Sequence, residues 1–264
     1  MNEQADDSLS KKMSILDHLS ELRTRLIYSF ILFILVFFLS LIKFNIFGFH
    51  ISIAQLIYIF LQQPLADILE ERGGRMIFTA LHEGFFTQIK VGFYIALFVS
   101  LPIILIQIWK YISPGLYKNE RKIFLPFMIA TPFLFLLSFL MVYYIVMPLA
   151  WQFFLSFELT SNQIGLPIEV EPRISEYLAL VMRLILAFGI CFQLPILILL
   201  LVRVGIVDVK WLSKNRKYCI LFSFIIAAIL TPPDVISQFL LAMPLIILYE
   251  ISIVLARFIK KEKK

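Results

Sequence analysis

The sequence predicts an all-α polytopic membrane protein with six transmembrane helices, the last two short, in a kinked and curved arrangement with both termini inside. Three observations predict it. The 264 residues are 61% hydrophobic and 16% charged, with a mean hydropathy of +0.91, whereas a soluble domain is about one quarter charged. The charges are gathered into short clusters between long neutral runs. Lys and Arg then alternate between rich and poor clusters along the chain.

A helix needs about 20 apolar residues to cross a hydrocarbon core of about 30 Å. The first span is predicted over about 26–47, uncharged to 42, with Lys43 able to snorkel at its end. Before it, Leu16, Leu19, Leu22 and Leu26 recur at helical spacing. That spacing predicts a cytoplasmic amphipathic helix over 13–25 running into the span. An outer loop over 48–85 follows. Its apolar stretch 51–61 predicts an interfacial helix, and Pro64 and Gly73-Gly74 a turn back to the membrane.

Further spans are predicted over 86–109, 123–148 and 178–202. The fifth, 216–231, and the sixth, 235–256, have uncharged cores of only 13 and 15 residues, roughly 20 and 22 Å of helix. Between them Thr231-Pro-Pro-Asp234 stops the fifth, since proline supplies no N–H. Pro102, Pro126, Pro132, Pro148 and Pro195 lie in or at the ends of spans and predict kinks. The whole, 1–264, reads as a single integral membrane domain.

Counted between the uncharged cores, and leaving aside Lys43, Lys90 and Arg183, Lys and Arg run 4, 2, 4, 1, 5, 0, 5 from the N-terminal segment to the tail. Positive charge stays cytoplasmic, so this alternation predicts both ends inside with six spans between them. Five or seven spans would break it. The first apolar run is long, begins late and lacks a small-residue cleavage site, which predicts a retained helix rather than a cleaved signal.

The net charge of +6 belongs to the inner loops, so no nucleic acid is expected. Cys191, Cys219, His18, His50 and His82 are scattered and give neither a disulfide framework nor a metal pattern. No cofactor and no metal are expected.

Four features could carry chemistry. Glu120 sits among Lys118, Arg121 and Lys122 in an inner loop, and Glu21 precedes the first span, with Arg25 at i+4. Most charges beside a membrane are simply solvated, and Glu21 can steady its own helix through Arg25. Gln193 is an amide in mid-membrane, where polar groups are costly unless paired. Its bland alternative is an interhelical hydrogen bond. Thr231 and Gln238 flank the Pro-Pro-Asp turn at two helix ends.

Four motifs in order, HLSELRTRL at 18–26, SPGLYKNERK at 113–122, FGICFQLP at 188–195 and LTPPDVISQ at 230–238, resemble those of the TatC family of twin-arginine translocase subunits. The likeness runs from about residue 15 to about 258. The resemblance implies a receptor in a pathway that moves folded proteins across a membrane with the proton-motive force. Such receptors recognise signal peptides bearing two adjacent arginines and gather the single-span subunits TatA and TatB.

By that resemblance the signal-peptide site carries over to Glu21 and Glu120, with Arg23 at a position that shapes it. Thr231, Asp234 and Gln238 match the region that docks the transmembrane helix of TatA or TatB. Pro64 and Pro102 match recurring family prolines. Gln193 stands where some relatives carry Glu, which counts against a proton relay there and leaves hydrogen bonding. Tyr111 stands where bacterial relatives often carry Phe. Membrane lipid and further copies of the chain are expected partners. The expected place is a cell inner membrane, or a mitochondrial inner or thylakoid membrane if the gene is organellar.

Two other classes make different demands. A secondary transporter for a small solute would show an inverted repeat and ionisable residues facing each other near the midplane. Lys43, Lys90, Arg183 and Glu250 approach the spans, all near helix ends, and LPIILI (101–106) and LPILIL (194–199) are too short to be a repeat. Proton-coupled solute uptake by the purified protein would favour that class. An intramembrane enzyme needs a nucleophile and base, or a metal pair, at one depth. No His lies within a span, so the chain is not expected to be an enzyme.

Overall fold

The computed structural model describes residues 15–46, 49–71, 73–112, 121–156, 171–230 and 235–261. Helix α1, Ile15–Leu41, carries the leucine-spaced segment and the first apolar run without a break. It stops at Leu41, short of the expected 47. Strands β1, Lys43–Ile46, and β2, Phe49–Ser52, then pair antiparallel, with Phe44 opposite Ile51 and Asn45 opposite His50.

Helix α2, Ile53–Glu71, buries Ala54, Leu61, Leu65 and Leu69 and contains Pro64. The spacing of the last three, four residues apart, makes one apolar stripe. Helix α3, Glu83–Ile112, returns along α1. The two approach closely: a Cβ at Gly92 would stand 2.9 Å from both Ser40 Oγ and Leu41 Cδ2.

The third run goes further than 148. Helix α4, Arg121–Met141, passes through a π-helical turn, Val142–Val146, into α5, Met147–Leu155. Pro148 cannot donate to the carbonyl of Tyr144 four residues back. Just ahead of it the ladder widens, and the Met147 N–H bonds to the Val142 carbonyl five residues back.

The fourth is two helices, α6, Ile174–Cys191, and α7, Leu194–Val204, parted by a turn at Phe192 and Gln193. A short α8, Val209–Lys214, precedes α9, Arg216–Leu230, of 15 residues. The last helix, α10, Val235–Lys261, is not short: it has 27 residues. Glu250 does not end it, because Arg216 Nη2 at the start of α9 pairs with its Oε2 at 2.9 Å. A charge so matched can sit on a continuing helix.

Among the described residues five helical stretches are long and apolar enough to cross a membrane: 23–41, 83–108, 126–155, 174–204 and 238–258. Apart from the hairpin, the chain is an all-α polytopic membrane protein. Of the α6–α7 window 56% is buried, against 11% for α1, so α6–α7 lies at the centre and α1 on the flank.

At the hairpin end, the Glu83 carboxylate accepts the N–H groups of Thr79 at 2.7 Å and Ala80 at 3.3 Å, and the hydroxyls of Thr79 and Ser175. The starts of α3 and α6 are therefore held at one level. Beside them the Ile77 N–H bonds to the Pro172 carbonyl at 3.1 Å, and Arg75 Nε to Glu171 at 3.0 Å.

Candidate functional site

Glu21 and Arg25 lie on one face of α1, one turn apart, each about one quarter exposed. Arg25 donates to Glu21 Oε1 through Nη2 and through Nε, the latter at 3.2 Å. The other carboxylate oxygen, Oε2, is shielded from solvent and accepts no hydrogen bond among the described residues. A carboxylate with one oxygen engaged and one free can take a second guanidinium.

The same face continues into the membrane run. Ser29, four residues past Arg25, donates to the Arg25 carbonyl at 2.9 Å and to Gln107 Oε1 on α3 at 3.0 Å. Ser29 is 3% exposed, so this contact fixes how α1 lies on α3 beside the carboxylate. Sequence reasoning missed Ser29 and Gln107. The signal was there, since both are polar and lie on rows that face the partner helix.

Arg23 is exposed. Two residues from Glu21 is about 200° around a helix, so Arg23 stands on the opposite flank. The structure brings Arg25 to Glu21, and not Arg23. Glu120, Thr231 and Asp234 lie outside the described residues. Gln238, in the first turn of α10, donates from Nε2 to the Phe224 carbonyl of α9 at 3.0 Å, tying the two helices together.

Gln193, 6% exposed, fills the turn between α6 and α7. Its Nε2 donates to the Thr131 carbonyl of α4 at 3.3 Å and to the Gly189 carbonyl at 3.4 Å. Its Oε1 has no donor among the described residues. Alongside, a Cβ at Gly189 would stand 2.6 Å from the ring of Phe135, so α6 and α4 touch through the missing side chain.

Pro64 removes the N–H that would bond to the Phe60 carbonyl. The Tyr143 hydroxyl, from the π-helical turn, donates to that carbonyl instead at 3.0 Å. The Tyr177 hydroxyl of α6 donates to the next carbonyl, Leu61, at 2.8 Å. Two tyrosines from different helices thus dock onto the break that one proline makes. Pro102 lies in α3 one turn past Phe98, whose ring centroid is 4.6 Å from that of Phe135.

Residues 17–244 match the family described as Sec-independent protein translocase protein (TatC). The chain belongs to the TatC family. The TatC protein of Magnetococcus marinus is 43% identical, the match covering 97% of this chain and 88% of that protein. The TatC protein of Rickettsia prowazekii is 44% identical over 95% of each. A crystal structure of the twin-arginine translocase receptor TatC is similar at a TM-score of 0.75 and 34% identity, covering 92% of this chain and 99% of the other.

With that family the chain is a component of a Sec-independent protein translocase and not an enzyme. TatC membership also accounts for the extent of the four motifs, because the matched span contains all of them.

Proposed function

We propose that the chain is the signal-peptide receptor and core subunit of a twin-arginine translocase, exporting folded proteins across a cell inner membrane with the proton-motive force. Glu21 and Glu120 take the arginine pair of the signal peptide. The observation that carries this is the shielded Oε2 of Glu21, which accepts no hydrogen bond among the described residues, beside an oxygen already holding Arg25. A guanidinium offers two parallel donors to a carboxylate where an ammonium offers a point charge, so arginine is preferred over lysine. Arg23 acts through its charge from the far flank of α1, repelling cationic segments that miss the carboxylates.

Both termini lie inside, with α9 as a short fifth span among six. That reading rests on the alternation of Lys and Arg. Membership of the family implies association with other Tat subunits. Thr231, Asp234 and Gln238 receive the single-span helices of TatA or TatB, where polar groups at the ends of α9 and α10 meet a partner's polar residue in place of lipid.

The test is export of a folded reporter carrying a twin-arginine signal in cells that depend on this chain. Glu21→Gln and Glu120→Gln are each expected to lower export at unchanged membrane levels of the protein, and the pair to abolish it. Full export by the paired variant would overturn the assignment.

A further inference from the structure

A cavity of about 190 Å3 lies between α2, α3, α4 and α6, with Leu61, Tyr94, Phe98, Phe139, Met182 and Leu186 in its wall. Among the described residues of that wall, Tyr94 alone carries a polar side-chain group. Water needs about two to four polar partners to settle in such a space, so the wall suits hydrocarbon. Val99, also in the wall, is 43% exposed, so the wall reaches the flank of the helices at that residue. In a membrane protein that flank meets lipid.

Two cations lie on the helices of this wall, each about one turn from a wall residue. Lys90 precedes Tyr94 by one turn on α3, and Arg183 precedes Leu186 by one turn on α6. Both are exposed, and neither has an ion pair or hydrogen bond among the described residues. The sequence suggested that both lie near helix ends. The structure instead puts Arg183 in the middle of α6, which begins at Ile174.

The bond from Ser175 to Glu83 sets the two helix starts level. Lys90 and Arg183 then lie about 10 and 12 Å along their helices, at nearly one depth. The candidate span on α3 has 26 residues, about 39 Å of helix, and α6 with α7 runs through 31 residues, against a core of about 30 Å. Their first turns therefore stand outside the hydrocarbon. The two cations fall just inside it, within snorkelling reach of the phosphate layer.

Unpaired cations at that depth are costly without a counter-ion. One kind of molecule answers both the pair of charges and the apolar hollow deeper in: a phosphodiester above an acyl chain. We propose that this groove binds an anionic phospholipid of the leaflet at the hairpin end, its phosphate between Lys90 and Arg183 and an acyl chain along Tyr94, Phe98 and Leu186. The site is separate from Glu21 and holds whichever way that end faces.

The experiment uses the full chain purified in detergent and offered phosphatidylglycerol or phosphatidylcholine with the same acyl chains. Native mass spectrometry counts the lipid retained. Phosphatidylglycerol is expected to be retained about tenfold better. Lys90→Gln with Arg183→Gln should bring it down to the phosphatidylcholine level, while Lys90→Arg with Arg183→Lys keeps the preference. Val99→Phe, which narrows the groove, should lower retention of both lipids.

Thermal unfolding in detergent alone tells lost binding from lost fold. If the glutamine pair does not fold, each single glutamine variant carries the same reading at a few-fold. Equal retention of the two lipids by the unaltered chain, or a preference that survives the glutamine substitutions, overturns the proposal. Loss in Val99→Phe with no effect of the charge variants overturns the phosphate assignment.

Discussion

The Tyr143 hydroxyl donates to the Phe60 carbonyl at 3.0 Å, the acceptor that Pro64 deprives of its helical donor, and the two rings stack with centroids 4.4 Å apart. Proline and tyrosine are thus one device: the first opens a helix, and the second closes the opening from a neighbouring helix. Tyr143→Phe is expected to cost about 1–3 kcal/mol, the cost of an unmatched carbonyl. Pro64→Ala restores an N–H at that place, so in its background the same change should cost about 0.5 kcal/mol or less. Thermal unfolding of the four proteins in detergent measures the difference, and two independent costs would contradict the pairing.

Gly189 faces the ring of Phe135, which is 1% exposed and has no room to withdraw. Gly189→Ala should therefore destabilise the chain by about 1–3 kcal/mol through overpacking. Adding Phe135→Leu should recover part of the loss. An alanine variant as stable as the unaltered chain would mean that α4 and α6 are not pressed together there.

Gln193 makes two long hydrogen bonds as a donor, and its Oε1 has no donor among the described residues. Losing the weak bonds and losing a buried unpaired oxygen offset each other, so Gln193→Met should change stability by about 1 kcal/mol or less. Gln193→Glu at neutral pH sets an acceptor against the Thr131 and Gly189 carbonyls and should cost clearly more. The order of the two unfolding midpoints decides it.

Arg25 occupies one oxygen of the carboxylate proposed to hold the signal peptide. It competes with the incoming arginines, so Arg25→Gln should tighten peptide binding, while Glu21→Gln weakens it. Titration of a labelled twin-arginine peptide against the protein in nanodiscs reads both. Weakening by both variants would make Arg25 part of the binding surface instead of a competitor.

Much of this architecture is legible in the chain because hydrocarbon imposes long neutral helices and leaves the charges between them. Local breaks are harder. Lys43–Ile46 directly follows the apolar run, and four residues are too few to tell a strand's alternation from the end of a helix. The π-helical turn before Pro148 and the turn at Phe192 and Gln193 follow from packing between helices, which periodicity does not carry. Glu250 looks like a helix end until Arg216 is seen beside it.

Of the candidate site, the pairing of Glu21 with Arg25 is legible from its i,i+4 spacing. The shielding of Oε2 and the seat of Ser29 on Gln107 are tertiary facts. Pro64 was visible as a proline, but the two tyrosines that answer it lie 79 and 113 positions further along the chain.

The most direct test of the central claim is photocrosslinking to this chain, in membranes, from a probe placed beside the arginine pair of a twin-arginine signal peptide. It is repeated with Glu120→Ala and with the peptide's two arginines changed to lysines. The account predicts a crosslink to the unaltered chain that is lost on either change. A crosslink indifferent to both, or none at all, would contradict it and return Glu21 and Glu120 to ordinary charges beside a membrane.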